Sequence, residues 1–234
     1  MTLGRRAACA ALVLLLAVFA VACDDEPAQR KAFVEFLQTR IVAKPGLHVP
    51  RLGEEQTGAF GDYAKHYAII VDFNAGLDHS VGKPLQEAMK RGAVRSLDDV
   101  VARRADIVAV RDGMAQLRAA LDEHLAAADS AHAALKQPDD LKAVFDQAYE
   151  RTVTAPAKAF ADIFPDLTEA LTAIVALADF LDQHKAEVTI RGSLVQTGNP
   201  TLQTRLTTLI NAVSAKSEAI TKAQQRLRGV ISGG

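Results

Sequence analysis

Apolar positions recur at intervals of three and four along nearly all of the chain after residue 28, the spacing of amphipathic helices. Phe33, Phe36, Leu37 and Ile41 share one stripe of a helix expected over 28–43, which Lys44-Pro45-Gly46 stops. A second helix, from about 54 to Gly82, aligns Phe60, Tyr63, Tyr67, Ile70, Asn74 and Leu77. Ser96 precedes Leu97-Asp98-Asp99 as an N-cap would. A long helix over about 105–136 carries Val110, Met114, Leu121, Ala128, His132 and Leu135 on one face. Gln137-Pro138-Asp139-Asp140 breaks it and opens another, whose stripe begins at Leu141, Val144 and Phe145. Pro156 predicts a kink or restart near Thr154, and Pro165-Asp166 predicts a further helix start.

One segment departs from this rhythm. Glu187–Arg191 and Leu194–Gln196 are β-branched runs on either side of Gly192-Ser193, which predicts a small hairpin. Asn199-Pro200 then reads as the N-cap and first residue of a last long helix. Its stripe runs through Leu202, Leu206, Leu209, Val213, Ile220 and Leu227. The expected fold is all-α: an elongated antiparallel helical bundle with one small β-hairpin near residues 187–197. No internal repeat or linker is visible, so residues 23–234 read as a single domain.

The first 22 residues read differently. Arg5 and Arg6 precede an apolar run from Ala7 to Cys23, followed at once by Asp24-Asp25-Glu26. This is the layout of a bacterial signal peptide. Ala20-Val21-Ala22-Cys23 resembles a lipobox, with Ala20 where Leu is usual, so Cys23 is the expected lipid-attachment residue after removal of residues 1–22. Cys9 would leave with the leader, and a single exported Cys has no disulfide partner. Acylation, with palmitate among the acyl groups, accounts for it and makes the bilayer the first expected partner. In enterobacterial lipoproteins an Asp after the acylated Cys favours inner-membrane retention, which makes Asp24 a candidate sorting signal. The expected location is the envelope, facing the periplasm, at the inner rather than the outer membrane.

Composition sharpens this picture. The chain holds 43 Ala, with few Gly and Pro, as long helices require. The net charge of −1 gives no reason to expect nucleic acid as a partner. That near-neutrality is uneven, because residues 119–187 hold 13 acidic and 5 basic side chains, and residues 188–234 hold 6 basic and 1 acidic. Either the basic C-terminal helix packs beside the acidic middle, or these are solvated faces with ordinary surface pairs.

No motif for catalysis stands out. The sequence has no HExxH, Cys pair, nucleophile elbow, Walker motif or dinucleotide fingerprint, and no cofactor is expected. Asp129 with His132, and Asp62 with His66, each lack a second half that would complete a metal site. Two further stretches, Gln29–Phe33 and Ala131–Lys142 continuing to Thr154-Ala155-Pro156, resemble the YiaF-like lipoproteins of proteobacterial envelopes. The resemblance implies an exported, acylated, mostly helical domain, and it carries no catalytic residues. Within the second stretch His132, Asp139 and Asp140 are the candidate binding groove. The alternative is that the acids start a helix while His132 bonds a neighbour. The reading is a lipid-anchored, non-enzymatic module with an envelope protein as possible partner. Its alternative is an enzyme, or a ligand- or metal-binding protein, with its site near those three residues.

Overall fold

The computed structural model describes residues 25–232 apart from Arg95, Gly192 and Ser193. Helices dominate it. They are α1 (Glu26–Leu37), α2 (Glu54–Phe60), α3 (Tyr63–Leu77), α4 (Lys83–Gly92), α5 (Leu97–Ala102), α6 (Arg104–Ala133), α7 (Asp139–Tyr149) and α8 (Ala155–Gln183). The hairpin β1 (Val188–Arg191) and β2 (Leu194–Thr197) follows, and α9 (Pro200–Ser232) closes the chain. The last three long helices form the frame. Arg104 reaches Asp179 and Arg118 reaches Ala161, so α6 and α8 run antiparallel. Glu169 meets Lys216 and Asp166 meets Arg226, so α8 and α9 do the same.

The caps explain where several elements begin. The Ser96 hydroxyl accepts the Asp99 amide at 3.2 Å, and the Asn199 carboxamide accepts the Thr201 amide at 3.0 Å. Each satisfies an amide that the first helical turn leaves without an internal partner. Between α2 and α3 the chain turns at Gly61, whose φ of 54° suits a residue without a side chain. Gly76 lets α3 approach α6, because a Cβ there would stand 2.6 Å from the His124 ring.

Three π-helical turns continue α1, α3 and α7: Gln38–Val42, Asp78–Gly82 and Glu150–Thr154. In each case a Pro follows two or three residues later, at Pro45, Pro84 and Pro156. At Pro84 and Pro156, which sit in the first turn of the helix that follows, the wider turn gives the ring room that a tight helical turn denies it; Pro45 lies in the loop beyond. The second and third joints also match in sequence. Asp78-His79-Ser80-Val81 and Glu150-Arg151-Thr152-Val153 are each acid, base, hydroxyl and Val, with Val81 and Val153 fully buried and a Pro three residues on. The two joints thus share a residue pattern as well as a shape.

Pro165 does not open a helix; it lies inside α8. Lacking an N–H, it leaves the Ala161 carbonyl without its usual donor, and Arg118 Nη1 donates to that oxygen at 3.3 Å. The restart at Pro156 is served likewise. Asn74 Nδ2 donates to the Thr152 carbonyl at 2.9 Å, the oxygen that Pro156 leaves open.

The core has two parts. The larger collects Phe33, Phe36, Phe60, Tyr67, Phe145 and their aliphatic neighbours from α1–α4, α6, α7 and the first half of α8. The smaller joins Val100, Leu177, Leu181, Leu206 and Leu209 to Val188 and Val195 of the hairpin. Ile190 faces Val195 and Val188 faces Thr197, so one face of the hairpin is buried against the helices. Among the described residues no buried side-chain N or O lacks a hydrogen-bond partner.

Candidate functional site

The three residues of the proposed groove sit at the α6–α7 turn but reach in different directions. His132, near the end of α6, turns onto α7, where its Nε2 lies 2.8 Å from Asp146 Oδ1. Its ring stacks on Tyr149 with centroids 4.1 Å apart. Asp140 points to α1 and bonds Arg30 Nη1 at 3.4 Å. Asp139 is exposed in the first turn of α7, where its charge suits the positive end of the helix. Pro138 precedes that turn and no side chain caps it, so both acids act through their charge. Cys23 and Asp24 lie outside the described residues.

A larger polar ring surrounds these three. Tyr149 donates to Asp129 Oδ1 at 2.7 Å, and Lys142 donates to Asp146 Oδ2 at 2.6 Å. Gln137, in the turn itself, meets His66 of α3 at 3.0 Å. Tyr63 donates to Glu26, which also faces Arg30 at 3.8 Å. The turn is thereby tied to α1 through Arg30, to α3 through His66, and α6 to α7 through His132. Phe145 fills the middle, its ring 5.5 Å from His132 and 6.3 Å from Phe33.

The electrostatics follow from those ties. Burial alone would raise the Asp146 carboxyl, but hydrogen bonds from Lys142 and His132, with their charges, hold it below its ordinary value. Burial, helped by the Glu26 carboxylate, pushes the Tyr63 hydroxyl up to about 12. Burial and the Asp129 carboxylate push Tyr149 up as well. His66 moves the other way: burial lowers it, and Asp62 offsets only part of the effect. These shifts suit fixed hydrogen bonds better than proton transfer near neutral pH.

The metal half-sites come apart. Asp129 is taken by Tyr149, and Asp62 pairs with Lys65 at 2.6 Å. Among the described residues no group of three or more His, Cys, Asp and Glu side chains could hold a metal ion. Open clefts lie elsewhere on the molecule. One of about 700 Å³ is lined by Val94, Leu97, Ile174, Leu177, Ile210 and Val213, between the α4–α5 link, α8 and α9. Another, of about 780 Å³, sits over Pro165 between α6 and α8. The residues that sequence reasoning missed are Asp146, Tyr149, His66 and Gln137. Only His66 carried a signal, as half of a metal pair that does not form.

A family model described as "Protein of unknown function (DUF3053)" matches residues 11–228. The chain belongs to the DUF3053 family. It is 30% identical over 212 residues to the uncharacterized protein YiaF of Escherichia coli K12, covering 90% of this chain and 89% of that one. The same figures hold for the YiaF protein of Shigella flexneri. No solved structure matches. Membership in DUF3053 therefore extends over the helical body and both cores, and the α6–α7 turn lies well inside the matched span.

Proposed function

We propose that this DUF3053 member is a lipid-anchored envelope protein, facing the periplasm, that works as an interaction module and not as an enzyme. The observation that carries the reading is the join between the leader and the fold. The lipobox-like Ala20–Cys23 ends three residues before α1 begins at Glu26. Three residues reach at most about 11 Å. Helix α1 is itself locked in, with Phe33 and Leu37 fully buried and Arg30 bonded to Asp140. Acyl chains on Cys23 would therefore hold the aromatic end of the bundle at the bilayer, with the hairpin end projecting away. Among the described residues no helix is long and apolar enough to cross a membrane, and attachment in this reading is through Cys23.

The interaction role is supported by the way His132, Asp139 and Asp140 diverge. A catalytic site needs groups that converge on one reacting atom. These three each serve a different contact or the solvent. An envelope protein is the partner this reading favours.

Cys23→Ser is the decisive test. It should abolish incorporation of labelled palmitate and release the protein from membranes. Attachment that survives the substitution would overturn the reading in favour of an uncleaved apolar leader. Asp24→Ser tests the inner-membrane placement: it should move the protein to the outer-membrane fraction, and unaltered fractionation counts against a sorting role.

A further inference from the structure

We propose that the α6–α7 turn is a proton-sensitive latch: acidification frees it from α3, and His66 is the group that takes up the proton. The inference does not depend on the lipid anchor. His66 is the turn's hold on α3. Its Nδ1 lies 3.0 Å from Gln137 Nε2, and an amide N–H can donate to that nitrogen only while the nitrogen is unprotonated. A proton on Nδ1 sets donor against donor.

The surroundings do little for a charge at this position. The ring stands edge-on to Tyr63 of its own helix at 5.3 Å and to Phe145 of α7 at 6.5 Å. On α3, Asp62 is paired with Lys65. On α1, Glu26 accepts from Tyr63 and Arg30 holds Asp140 of α7. In the turn, Lys136 is exposed and is itself a cation. Burial already disfavours the charged imidazole here. Once protonated, the ring can keep Gln137 only if the amide turns its oxygen over to accept from Nδ1–H, which leaves the imidazolium where burial disfavours it; a ring that moves toward water instead releases the turn from α3.

The second histidine is placed differently. His132 faces the Asp146 carboxylate at 2.8 Å. That bond joins α6 to α7 and does not reach α3. The buried face of α7, with Leu141 and Phe145 at 0% exposure, keeps the helix in place. Loosening is therefore confined to residues 134–140.

Hydrogen exchange of the backbone amides of residues 134–140 tests this in the full chain, solubilised in mild detergent. Between about pH 7.5 and about pH 5.5, on either side of the ordinary histidine value, protection corrected for intrinsic rate should fall about threefold or more. His66→Gln, which cannot titrate, should remove most of that fall, while His132→Gln should leave it. No fall in the wild type, or an equal fall in His66→Gln, overturns the proposal. If His66→Gln fails to fold, Gln137→Leu decides. It should show the low protection already at the higher pH, and full protection with an unchanged acid response overturns the latch.

Discussion

The two ends of the bundle are held together by different means. At the aromatic end, Phe33, Phe36, Phe60, Tyr63, Tyr67 and Phe145 come from four helices and meet ring to ring at 5.1 to 6.3 Å. Polar ties from Arg30, His66 and His132 surround them. At the hairpin end Leu177, Leu181, Leu206 and Leu209 close over Val188 and Val195, with Phe180 as that cluster's aromatic ring. Helix α6 spans both ends: about 38 Å of helix separates Arg104, beside Asp179, from Asp129, beside Tyr149. The aromatic end gathers residues from 33 to 149, so its contacts need every element from α1 to α7 in place. The hairpin end is built mostly from residues 177–209, with Val100 added, and a two-stranded hairpin is marginal alone. The difference implies that the hairpin end can open locally, whereas the ring cluster of the aromatic end, as distinct from the α6–α7 turn beside it, opens only with global unfolding.

Phe145→Ala is the strongest way to break that comparison. Phe145 is fully buried and touches the rings of Phe33, His66, His132 and Tyr149. Its loss should cost about 3–5 kcal/mol of global stability in denaturant titration. Leu206→Ala, at an equally buried position, should cost about 2–3 kcal/mol. Hydrogen exchange should place that cost in the hairpin and the N-terminal turns of α9. If Leu206→Ala lowers protection equally in α1 and α3, the two ends are a single cooperative unit and the distinction fails.

Most of the helical stripes were legible in the sequence because their spacing is a local property. The caps at Ser96 and Asn199, the break at Pro138 and the place of the hairpin were legible for the same reason. What could not be read depended on partners far along the chain. Pro165 reads as a helix start because the Arg118 guanidinium that makes it tolerable lies 43 residues away. Asn74 stands on the stripe of its helix with no local reason; its partner is the Thr152 carbonyl, 78 residues on. At the candidate site, His132 was expected either to join a groove or to bond a neighbour, and the neighbour is Asp146 on the next helix. The His66 contact with Gln137 spans 71 residues and has no local signature.

Asn74 offers a third test, between the two ends. Asn74→Ala leaves the Thr152 carbonyl without its donor and should cost about 1–3 kcal/mol. Pro156→Ala restores a backbone N–H at the position that Thr152 would ordinarily pair with. In that background Asn74→Ala should therefore cost less. Equal costs in both backgrounds would mean that Asn74 acts through its bond to Ile70, at 2.8 Å, and not through the joint. Acid should weaken the aromatic end in two windows. The folded value of His66 lies below its unfolded value, so the unfolded chain binds more protons and stability falls as pH drops below about 6.5. Asp146 is also depressed, so its contribution is present above its ordinary carboxyl value and is lost as pH falls below about 3.8 through the lower folded value. Asp146→Asn should shrink the second window in a pH series of denaturant titrations and leave the first.

The smallest expected effect concerns the unequal charge of the chain. The basic last helix does lie along α8 in the acidic middle, where Lys216 meets Glu169 and Arg226 meets Asp166 at 3.7 Å. Both pairs are substantially exposed, with the Arg226 side chain at 60% and the Lys216 side chain at 39%. Water and salt screen pairs of this kind, and holding two long side chains in register costs entropy. What fastens α9 to α8 is apolar, through Leu206 and Leu209 on Leu177 and Leu181. Lys216→Ala and Arg226→Ala should therefore each cost less than about 1 kcal/mol, and the difference from wild type should shrink further at molar salt. A larger cost that salt abolishes would make charge, and not the hairpin core, the main fastening of α9, and would place its weak point along the middle of the helix instead of at the hairpin end.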